Sequence, residues 1–419
     1  MEDIYDIIIA GTGPVGLTFA DKLADSGLRI LVYDHGKIGT TKKSWAVPEK
    51  WLATAGYSHY ATNRITRLGV YSYLHEESVI QTVSSELAGV TIAESKLLPD
   101  IFQRIKAKGV DTIENLEMLS WQEKSDHLEL ISSTKKIFKT KLILDCTGVN
   151  SRFIKRGNNI KHLFYYPTYG LKFSGGNSAK DQAYIAAHVA NYKGSKVFIN
   201  DFHEGDGAYT PWIYITTSNE TPLLELRDLY KEILKTEFVE NLVTGHDVIG
   251  EKFGWIPVWD VKSRASNRIL SLGDAGAMAP WTSAATLSFM LSKLPVWVPK
   301  IIDSVKNDNL AEAELNSLVK LSNQQEALYD LTKIIFILLK NSSPEEFKKV
   351  VEFYAELNLD ILSKAILYFD ASVAEITSLI RILLKHLSIP ELLRILARDG
   401  LHDELGIGPE LLVDIMRNI

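Results

Sequence analysis

Three glycines near the start of the chain stand at a spacing that suits nucleotide binding, in the order Gly11-Thr12-Gly13-Pro14-Val15-Gly16. A dinucleotide site needs a tight turn, close backbone approach to the pyrophosphate, and a helix whose first amides face the phosphates. Gly11, Gly13 and Gly16 suit these three tasks, and Pro14 belongs to the same turn. Asp34 follows where an acid can accept both hydroxyls of an adenosine ribose. The pattern predicts a site for NAD or FAD.

Two later stretches carry further candidate cofactor-binding residues. "KTKLILDCTG" reads as a strand that ends at Thr147 and Gly148, where a third strand approaches the cofactor. "NRILSLGDAGAMAPWTS" reads as a strand over 268–272, with Gly273 and Asp274 at its end and a helix starting at Trp281 after Pro280. An acid there can bind the ribityl or pyrophosphate side of a flavin nucleotide, and a helix N-terminus favours the negative reduced ring. Together these features favour FAD.

The elements that position the opening motif follow from hydrophobic periodicity. A buried strand over 5–10, a helix over 17–26 ended by Gly27, and a second strand over 28–33 are predicted. This is a strand-helix-strand unit with parallel strands. The predicted fold class is therefore α/β, with a Rossmann-like nucleotide-binding domain.

Polar residues between two alternating segments are the candidates for acid and base chemistry. Asp201, His203 and Glu204 form this group, although "HEGDG" is equally typical of a solvated turn. Trp45 is a further candidate catalytic residue. It belongs to a set of aromatic side chains that could wall a site for an apolar or cationic substrate or could simply be core, namely Trp45, Tyr166, Tyr169, Trp212, Tyr214, Trp255 and Trp259.

Four stretches carry a resemblance to flavoproteins of the para-hydroxybenzoate hydroxylase fold and, within them, to the lycopene cyclase family. They are "TKKSWAVPEKWL" at 41–52, "FYYPTYGLKF" at 164–173, "GWIPVWD" at 254–260 and "GDAGAMAPWTSAA" at 273–285. The resemblance implies bound FAD, an FAD-binding domain of this type, an inserted β-sheet substrate domain and a C-terminal helical region. It covers roughly residues 1–300.

The chain departs from the lycopene cyclase pattern at "WIYITTS", residues 212–218. Ile215 and Thr216 stand where the family has two carboxylates, and a threonine hydroxyl cannot protonate a polyene. We therefore expect an FAD-dependent oxidoreductase, a monooxygenase or reductase, acting on an apolar molecule such as an isoprenoid or polyene-like one, with NAD(P)H as a candidate electron donor. The alternatives are a non-redox FAD-dependent cyclase or isomerase, and a flavin-binding structural or regulatory protein.

The resemblance also suggests how the chain divides. Segments 1–70, 95–160 and 250–300 are assigned to the FAD-binding domain, segments 71–94 and 161–249 to a sheet that roofs the flavin and binds substrate, and 301–419 to the helical domain. Within the last part, Ser343-Pro344-Glu345-Glu346 predicts a capped helix start.

Bulk composition narrows the partners. The formal net charge is −6 with well-mixed charges, which argues against nucleic acid. The single Cys146 excludes an internal disulfide framework, and no histidine spacing predicts a metal site. Without a signal-peptide pattern or a long apolar run, a cytoplasmic location is expected. Amphipathic C-terminal helices leave peripheral membrane contact possible, and the oligomeric state stays open.

Overall fold

The computed structural model describes residues 4–40, 45–73, 76–92, 94–153, 160–204, 206–216, 221–283 and 285–398. Outside the described residues lie parts of three motifs quoted above, namely 41–44, 217–218 and Ala284, and the end of the helical domain, 399–419. The strands are β1 Ile4–Ala10, β2 Ile30–Tyr33, β3 Ala46–Pro48, β4 Ala61–Ile65, β5 Arg67–Ser72, β6 Glu77–Thr82, β7 Gly89–Ile92, β8 Asp111–Ile113, β9 Met118–Glu123, β10 Leu128–Ser132, β11 Ile137–Asp145, β12 Ile160–Phe173, β13 Gln182–Tyr192, β14 Ser195–His203, β15 Tyr209–Ile215, β16 Val248–Val261, β17 Ala265–Ser266 and β18 Ile269–Ser271.

The helices lie between these strands and after them. They are α1 Pro14–Leu23, α2 Glu49–Thr54, α3 Glu94–Ala107, α4 Leu223–Ile233, α5 Glu237–Val243, α6 Thr286–Lys306, α7 Glu312–Leu318, α8 Asn323–Asn341, α9 Pro344–Glu356, α10 Leu359–Ser363, α11 Val373–His386 and α12 Ile389–Ala397. A single π turn, Lys364–Tyr368, continues α10.

The nucleotide-type sheet has the order β17-β18-β11-β1-β2-β8, with β10 and β9 added beyond β11. β1 pairs in parallel with both β11 and β2. Its residues Ile7–Ala10 are fully buried, as expected for a central parallel strand covered on both faces. The predicted strand-helix-strand unit is therefore present, although α1 begins at Pro14 and ends at Leu23 rather than Ser26.

The second large sheet has the order β16-β12-β15-β14-β13-β5-β6. β16 pairs with β12 along nearly its whole length. Segment 250–261, assigned above to the nucleotide-binding domain, therefore lies in the roofing sheet, and β5 brings residues 67–70 into it as well. One face of this sheet packs a hydrophobic core against α4 and α5, which includes Tyr209, Ile213 and Tyr230. A small sheet of order β3-β7-β4 completes the β structure.

The C-terminal helices pack into the main core through α8 and α9. The predicted start of α9 is confirmed, because Ser343 and Glu346 form a reciprocal capping box and Pro344 is the first helical residue. The helix predicted from Trp281 begins only at Thr286, because the Trp281 amide donates to the Thr332 hydroxyl at 3.2 Å and residues 281–283 form a turn. Among the described residues, each helix is too short or too polar to cross a membrane.

Candidate functional site

One cavity of about 1450 Å³ runs from the glycine-rich turn, past residues 272–288, to the roofing sheet and the C-terminal helices. Cavities for a single small molecule are usually about 300–1,000 Å³, so this one has room for more than one. The predicted site residues that border it are Gly11, Gly13, Pro14, Asp34, Trp45, Thr147, Gly148, Asp201 and Asp274. Gly16, Gly273, Pro280, His203 and Glu204 are not among its lining residues.

The three glycines of the turn have different physical roles. Gly11 has φ +92°, and a Cβ atom there would lie 2.6 Å from the Cys146 carbonyl oxygen. A Cβ atom at Gly16 would lie 2.0 Å from the Gly11 carbonyl oxygen. These two glycines allow the turn to pack on itself and on the end of β11. Gly13 differs, because its Cβ position faces open space in the cavity at the uncapped N-terminus of α1. This is the position where a ligand phosphate can approach.

Asp34 lies at the end of β2 and is held by the same turn. Its Oδ2 accepts hydrogen bonds from the Thr12 amide at 2.7 Å and the Thr12 hydroxyl at 2.6 Å, and its Oδ1 accepts from the Gly36 amide at 2.9 Å. A ring nitrogen of His35 also lies 3.1 Å from Oδ1, and these contacts fix the orientation of the carboxylate at the cavity wall. The role of Thr12 was not predicted, since the sequence pattern specifies only the glycines.

Asp145, the last residue of β11, is a fully buried hydrogen-bond hub that the sequence analysis missed. It accepts from the Thr147 amide and hydroxyl, from the Ser151 hydroxyl at 2.6 Å and from the Ser271 hydroxyl at 2.9 Å. Burial raises the pKa of this carboxyl group, while these donors oppose the shift. The hub ties β11 to β18 and holds Thr147 and Gly148 at the cavity wall.

The segment after β18 contributes the other cofactor-side wall. Gly273 has φ +63° and packs against Val15 of α1, while the neighbouring Asp274 borders the cavity and accepts from the Thr286 hydroxyl. Thr282 also borders the cavity, and its hydroxyl oxygen is buried without a hydrogen-bond partner. Thr282 was not among the residues predicted from the sequence.

An aromatic chamber lies beneath the roofing sheet, bordered by Trp45, Tyr166, Trp212, Tyr214 and Trp255. Tyr169 also borders the cavity, but its ring contacts Tyr230 of α4 and its hydroxyl donates to Glu251. Of the predicted aromatic wall, Trp259 alone does not line the cavity, and its indole donates instead to the Asp274 carbonyl oxygen. Tyr214 contacts Tyr166 edge to face. Leu339, Tyr354 and Ile366 of the C-terminal helical region close the chamber. Burial raises the pKa of Tyr354 to about 12, so its hydroxyl stays neutral.

Tyr166 joins the chamber to the cofactor-side wall, because its buried hydroxyl donates to the Trp281 carbonyl oxygen at 2.5 Å. Replacing Tyr166 with phenylalanine leaves that carbonyl oxygen buried without this partner. We expect the free energy of unfolding to fall by about 1–3 kcal/mol in denaturant titrations. As a control, Tyr5→Phe removes an exposed hydrogen bond to Asp111 and should cost clearly less. Equal losses in the two variants would contradict the joining role of Tyr166.

The three predicted acid and base residues do not converge. Side chains alternate along a strand, and Asn200 and Phe202 of β14 face the cavity opposite Trp212 and Thr210 of β15. The side chains of Asp201 and His203 therefore point to the α4 side, although Asp201 as a residue borders the cavity. There the Asp201 carboxylate accepts from the Tyr184 amide and the Tyr209 hydroxyl, and His203 contacts Ser178. Burial raises the pKa of Asp201 to about 6 and lowers that of His203.

Glu204 lies on the cavity side, behind the lining residues. Its carboxylate accepts from Lys172 at 2.7 Å, from Lys252 at 2.9 Å and from the Thr210 hydroxyl at 2.7 Å. Although burial opposes the shift, these donors lower the pKa of Glu204 to about 2. Glu204 is therefore ionised at neutral pH and cannot serve as a proton donor.

This ion pair makes a prediction for acid stability. Because the folded pKa of Glu204 lies below its ordinary value of 4.5, the carboxylate stabilises the fold above pH 4.5 and this contribution is lost as the pH falls towards about 2. We compare Glu204→Gln with the unaltered chain by denaturant titration. At pH 6 the free energy of unfolding of the variant should be lower by about 3 kcal/mol, and this difference should shrink as the pH falls from about 4.5 to about 2. A difference independent of pH would contradict the assignment.

The resemblance to lycopene cyclases places that family's pair of carboxylates around the end of β15, where successive side chains point to opposite faces of the sheet. Trp212 and Tyr214 face the cavity, whereas Ile213 and Ile215 belong to the core on the α4 side. Thr216 is buried, with a hydroxyl that has no hydrogen-bond partner, and is not among the lining residues. The two positions of the family's carboxylates therefore supply no acid to the cavity.

No protein-family model matches the sequence, and the comparison with curated proteins finds no significant match. Solved structures do match. A geranylgeranyl bacteriochlorophyll reductase-like protein of Thermoplasma acidophilum is 14% identical, with 94% of this chain and 98% of that chain covered and a TM-score of 0.73. The p-nitrophenol 4-monooxygenase of Pseudomonas putida is 14% identical, with coverages of 88% and 98% and a TM-score of 0.69. Halogenase PltM, in complex with phloroglucinol and FAD, is 12% identical, with coverages of 99% and 96% and a TM-score of 0.66.

These likenesses establish the fold and confirm the predicted fold class. The chain has the α/β fold of the FAD-binding flavoprotein monooxygenases, with C-terminal helices. The particular resemblance to lycopene cyclases finds no support among these structures.

Proposed function

We propose that the chain is an FAD-dependent oxidoreductase, a monooxygenase or a reductase, that acts on a largely apolar small molecule. The observation that carries the proposal is the continuity of one cavity, which connects the open α1 N-terminus at Gly13 with the aromatic chamber below the roofing sheet. The similar structures named above, a reductase-like protein, a monooxygenase and a halogenase, support the same class.

The residues of the turn and the adjoining segments suit FAD. The pyrophosphate would meet the amides at the start of α1 beside Gly13, and Asp34 would accept ribose hydroxyls. Thr147, Gly148 and Asp274 would complete the wall on the flavin side. When bound, FAD supplies hydride transfer or oxygen chemistry that amino-acid side chains cannot.

The chain's own contribution lies in position and environment. Tyr166, Tyr214 and Tyr354 keep neutral hydroxyls and present aromatic faces, so they orient an apolar substrate without offering a charge. The hydrogen bond from the Tyr166 hydroxyl to the Trp281 carbonyl oxygen fixes the position of the aromatic chamber relative to the cofactor-side wall. Leu339, Tyr354 and Ile366 of the C-terminal helical region add further apolar and aromatic surface to the chamber.

The non-redox cyclase remains the alternative, but the predicted acids give it little support. Protonating a polyene needs a neutral acid that faces the chamber. Asp201 points to the α4 side, Glu204 is ionised, and Ile215 and Thr216 stand at the family's acid positions. A flavin-binding protein without turnover is the third possibility, which the same experiment tests.

The test is to purify the protein, load it with FAD, and follow NAD(P)H oxidation in air with and without candidate apolar substrates. We expect substrate-stimulated NAD(P)H consumption and an oxygenated or reduced product. Conversion at constant mass without stoichiometric reductant would overturn the redox assignment in favour of the cyclase. Bound FAD without any turnover across the substrate panel would favour the non-enzymatic role.

A further inference from the structure

Two tyrosine hydroxyl groups along the cavity hold the protein itself together. The Tyr166 hydroxyl donates to the Trp281 carbonyl oxygen at 2.5 Å, and the Tyr368 hydroxyl donates to the Ala88 carbonyl oxygen at 3.3 Å. Both residues border the cavity. A hydroxyl group has one hydrogen to donate, so neither of these two is a donor for a ligand.

The hydroxyl groups of Tyr214 and Tyr354 differ from these two. Both residues border the cavity, and within the part of the chain that the structure describes neither hydroxyl has a hydrogen-bond partner. The two residues are only 9% and 5% exposed. Their oxygen atoms are not enclosed as that of Thr282 is, so we infer that the exposed part of each side chain faces the cavity. A buried polar group normally has a partner, and here a ligand in the cavity can reach both donors.

The two tyrosines form a pair that the surrounding structure holds in place. The Tyr214 ring stacks on Phe198 with the ring centroids 5.3 Å apart, and it contacts Tyr166 edge to face at 5.4 Å. The Tyr354 carbonyl oxygen accepts from the Gln81 side-chain amide at 2.9 Å, which fixes this part of α9. Burial and the neighbouring Tyr354 both raise the pKa of Tyr214, so the two side chains belong to the same part of the cavity.

The surroundings of this pair suit an uncharged group. The rings that contact Tyr214 and Tyr354 are those of Phe198, Tyr166 and Phe353. Burial alone raises the pKa of Tyr354 to about 12, with no contribution from a charged side chain among the described residues. An ionised ligand group would lose its hydration there without gaining a counter-charge. A carbonyl oxygen is neutral and has two lone pairs, which match the two hydroxyl donors.

We propose that Tyr214 and Tyr354 bind the substrate through an uncharged carbonyl oxygen, that of a ketone or a quinone, which accepts one hydrogen bond from each hydroxyl. This inference rests on the proposed function, because it names the substrate class of the same site. Tyr214 contacts Tyr166, whose hydroxyl is bonded to the cofactor-side wall at Trp281. The bound carbonyl group therefore lies one tyrosine ring away from that wall. A pure hydrocarbon would leave both donors unpaired.

The test compares two probes that differ by one carbonyl group, tetralin and α-tetralone, in binding to the full chain by isothermal titration calorimetry. In a chamber without donors, the ketone would lose its hydrogen bonds to water, and tetralin should bind about tenfold more tightly. We expect instead that α-tetralone binds at least as tightly as tetralin. A preference for tetralin of more than about threefold in the unaltered chain would overturn the proposal.

Substitutions assign the ketone binding to the two hydroxyl groups. The double variant Tyr214→Phe/Tyr354→Phe removes both donors and should shift the affinity ratio by about fivefold or more towards tetralin. The control Tyr230→Phe removes a buried hydroxyl on the α4 side, which donates to the Pro211 carbonyl oxygen at 2.7 Å, and should leave the ratio unchanged. An unchanged ratio in the double variant would overturn the assignment.

Stability measurements test the same claim without a ligand. Tyr214→Phe and Tyr354→Phe break no hydrogen bond within the described protein, so each should lower the free energy of unfolding less than Tyr230→Phe does. A loss in either variant as large as that of Tyr230→Phe would reveal a protein partner and overturn the proposal. FAD binding is titrated separately. A chain that binds FAD but prefers tetralin contradicts this inference alone, whereas a chain that binds no FAD contradicts the proposed function.

Discussion

Replacing Gly13 with aspartate is expected to abolish FAD binding while the fold is retained. The backbone at Gly13 has φ −62° and ψ 179°, which any residue can adopt, and the Cβ position faces open space. Aspartate is a favoured helix N-cap, so the stability of α1 should be unchanged or slightly raised. Its carboxylate would stand where the pyrophosphate approaches, and such a repulsion is of the order of 4 kcal/mol at about 4 Å. We expect a loss of FAD affinity of about 100-fold or more in fluorescence titrations.

The matched control is Ala311→Asp. Ala311 is the N-cap of α7, has extended backbone angles and lacks a side-chain cap, so the same aspartate should stabilise that helix by about 0.5–2 kcal/mol. It should leave FAD affinity unchanged. If Gly13→Asp bound FAD as tightly as Ala311→Asp, the glycine-rich turn would not hold the pyrophosphate.

Replacing Asp145 with alanine is expected to give the largest loss of stability among these variants. Four donors, from Thr147, Ser151 and Ser271, would lose their shared acceptor in a fully buried place. Each buried unsatisfied group costs about 1–3 kcal/mol, so we expect a total of about 3 kcal/mol or more. Asp145→Asn keeps one acceptor oxygen and should lose less. Denaturant titration with two spectroscopic probes measures both.

The control for this second prediction is Asp126→Ala. Asp126 is exposed and forms a surface ion pair with the neighbouring His127, and such surface pairs contribute about 0–1 kcal/mol. An Asp145→Ala variant as stable as Asp126→Ala would show that the end of β11 is held by something other than this hub.

Local patterns predicted the glycine-rich turn and its flanking strands, and the structure places Gly11, Gly13 and Asp34 at the cavity. The apolar run of β1, the glycines, and Asp34 at the end of β2 follow from rules that act within a few residues. The same rules did not reveal the hydrogen-bond hub at Asp145, whose partner Ser271 lies 126 residues away in the sequence. They also did not reveal the buried Thr282 hydroxyl that lacks a hydrogen-bond partner. These depend on which strands become neighbours, and local periodicity does not determine that.

The structure does not bring the three acid and base candidates together at the cavity, and the physical reason is a different one. Asp201, His203 and Glu204 are close in sequence, but alternation along β14 sends the first two to the α4 side. The alternation in the sequence predicts which residues share a face of the strand, but it does not indicate which of the two faces lines the cavity. Glu204 lies on the cavity side of the sheet, but its hydrogen bonds from Lys172 and Lys252, which are 32 and 48 residues away in the sequence, keep it ionised.

Titration of the cofactor-free chain with FAD, followed by quenching of flavin fluorescence, tests the central claim most directly. The account predicts saturable binding of one FAD per chain, which Gly13→Asp abolishes and Ala311→Asp leaves intact. A folded chain that shows no saturable FAD binding would contradict it.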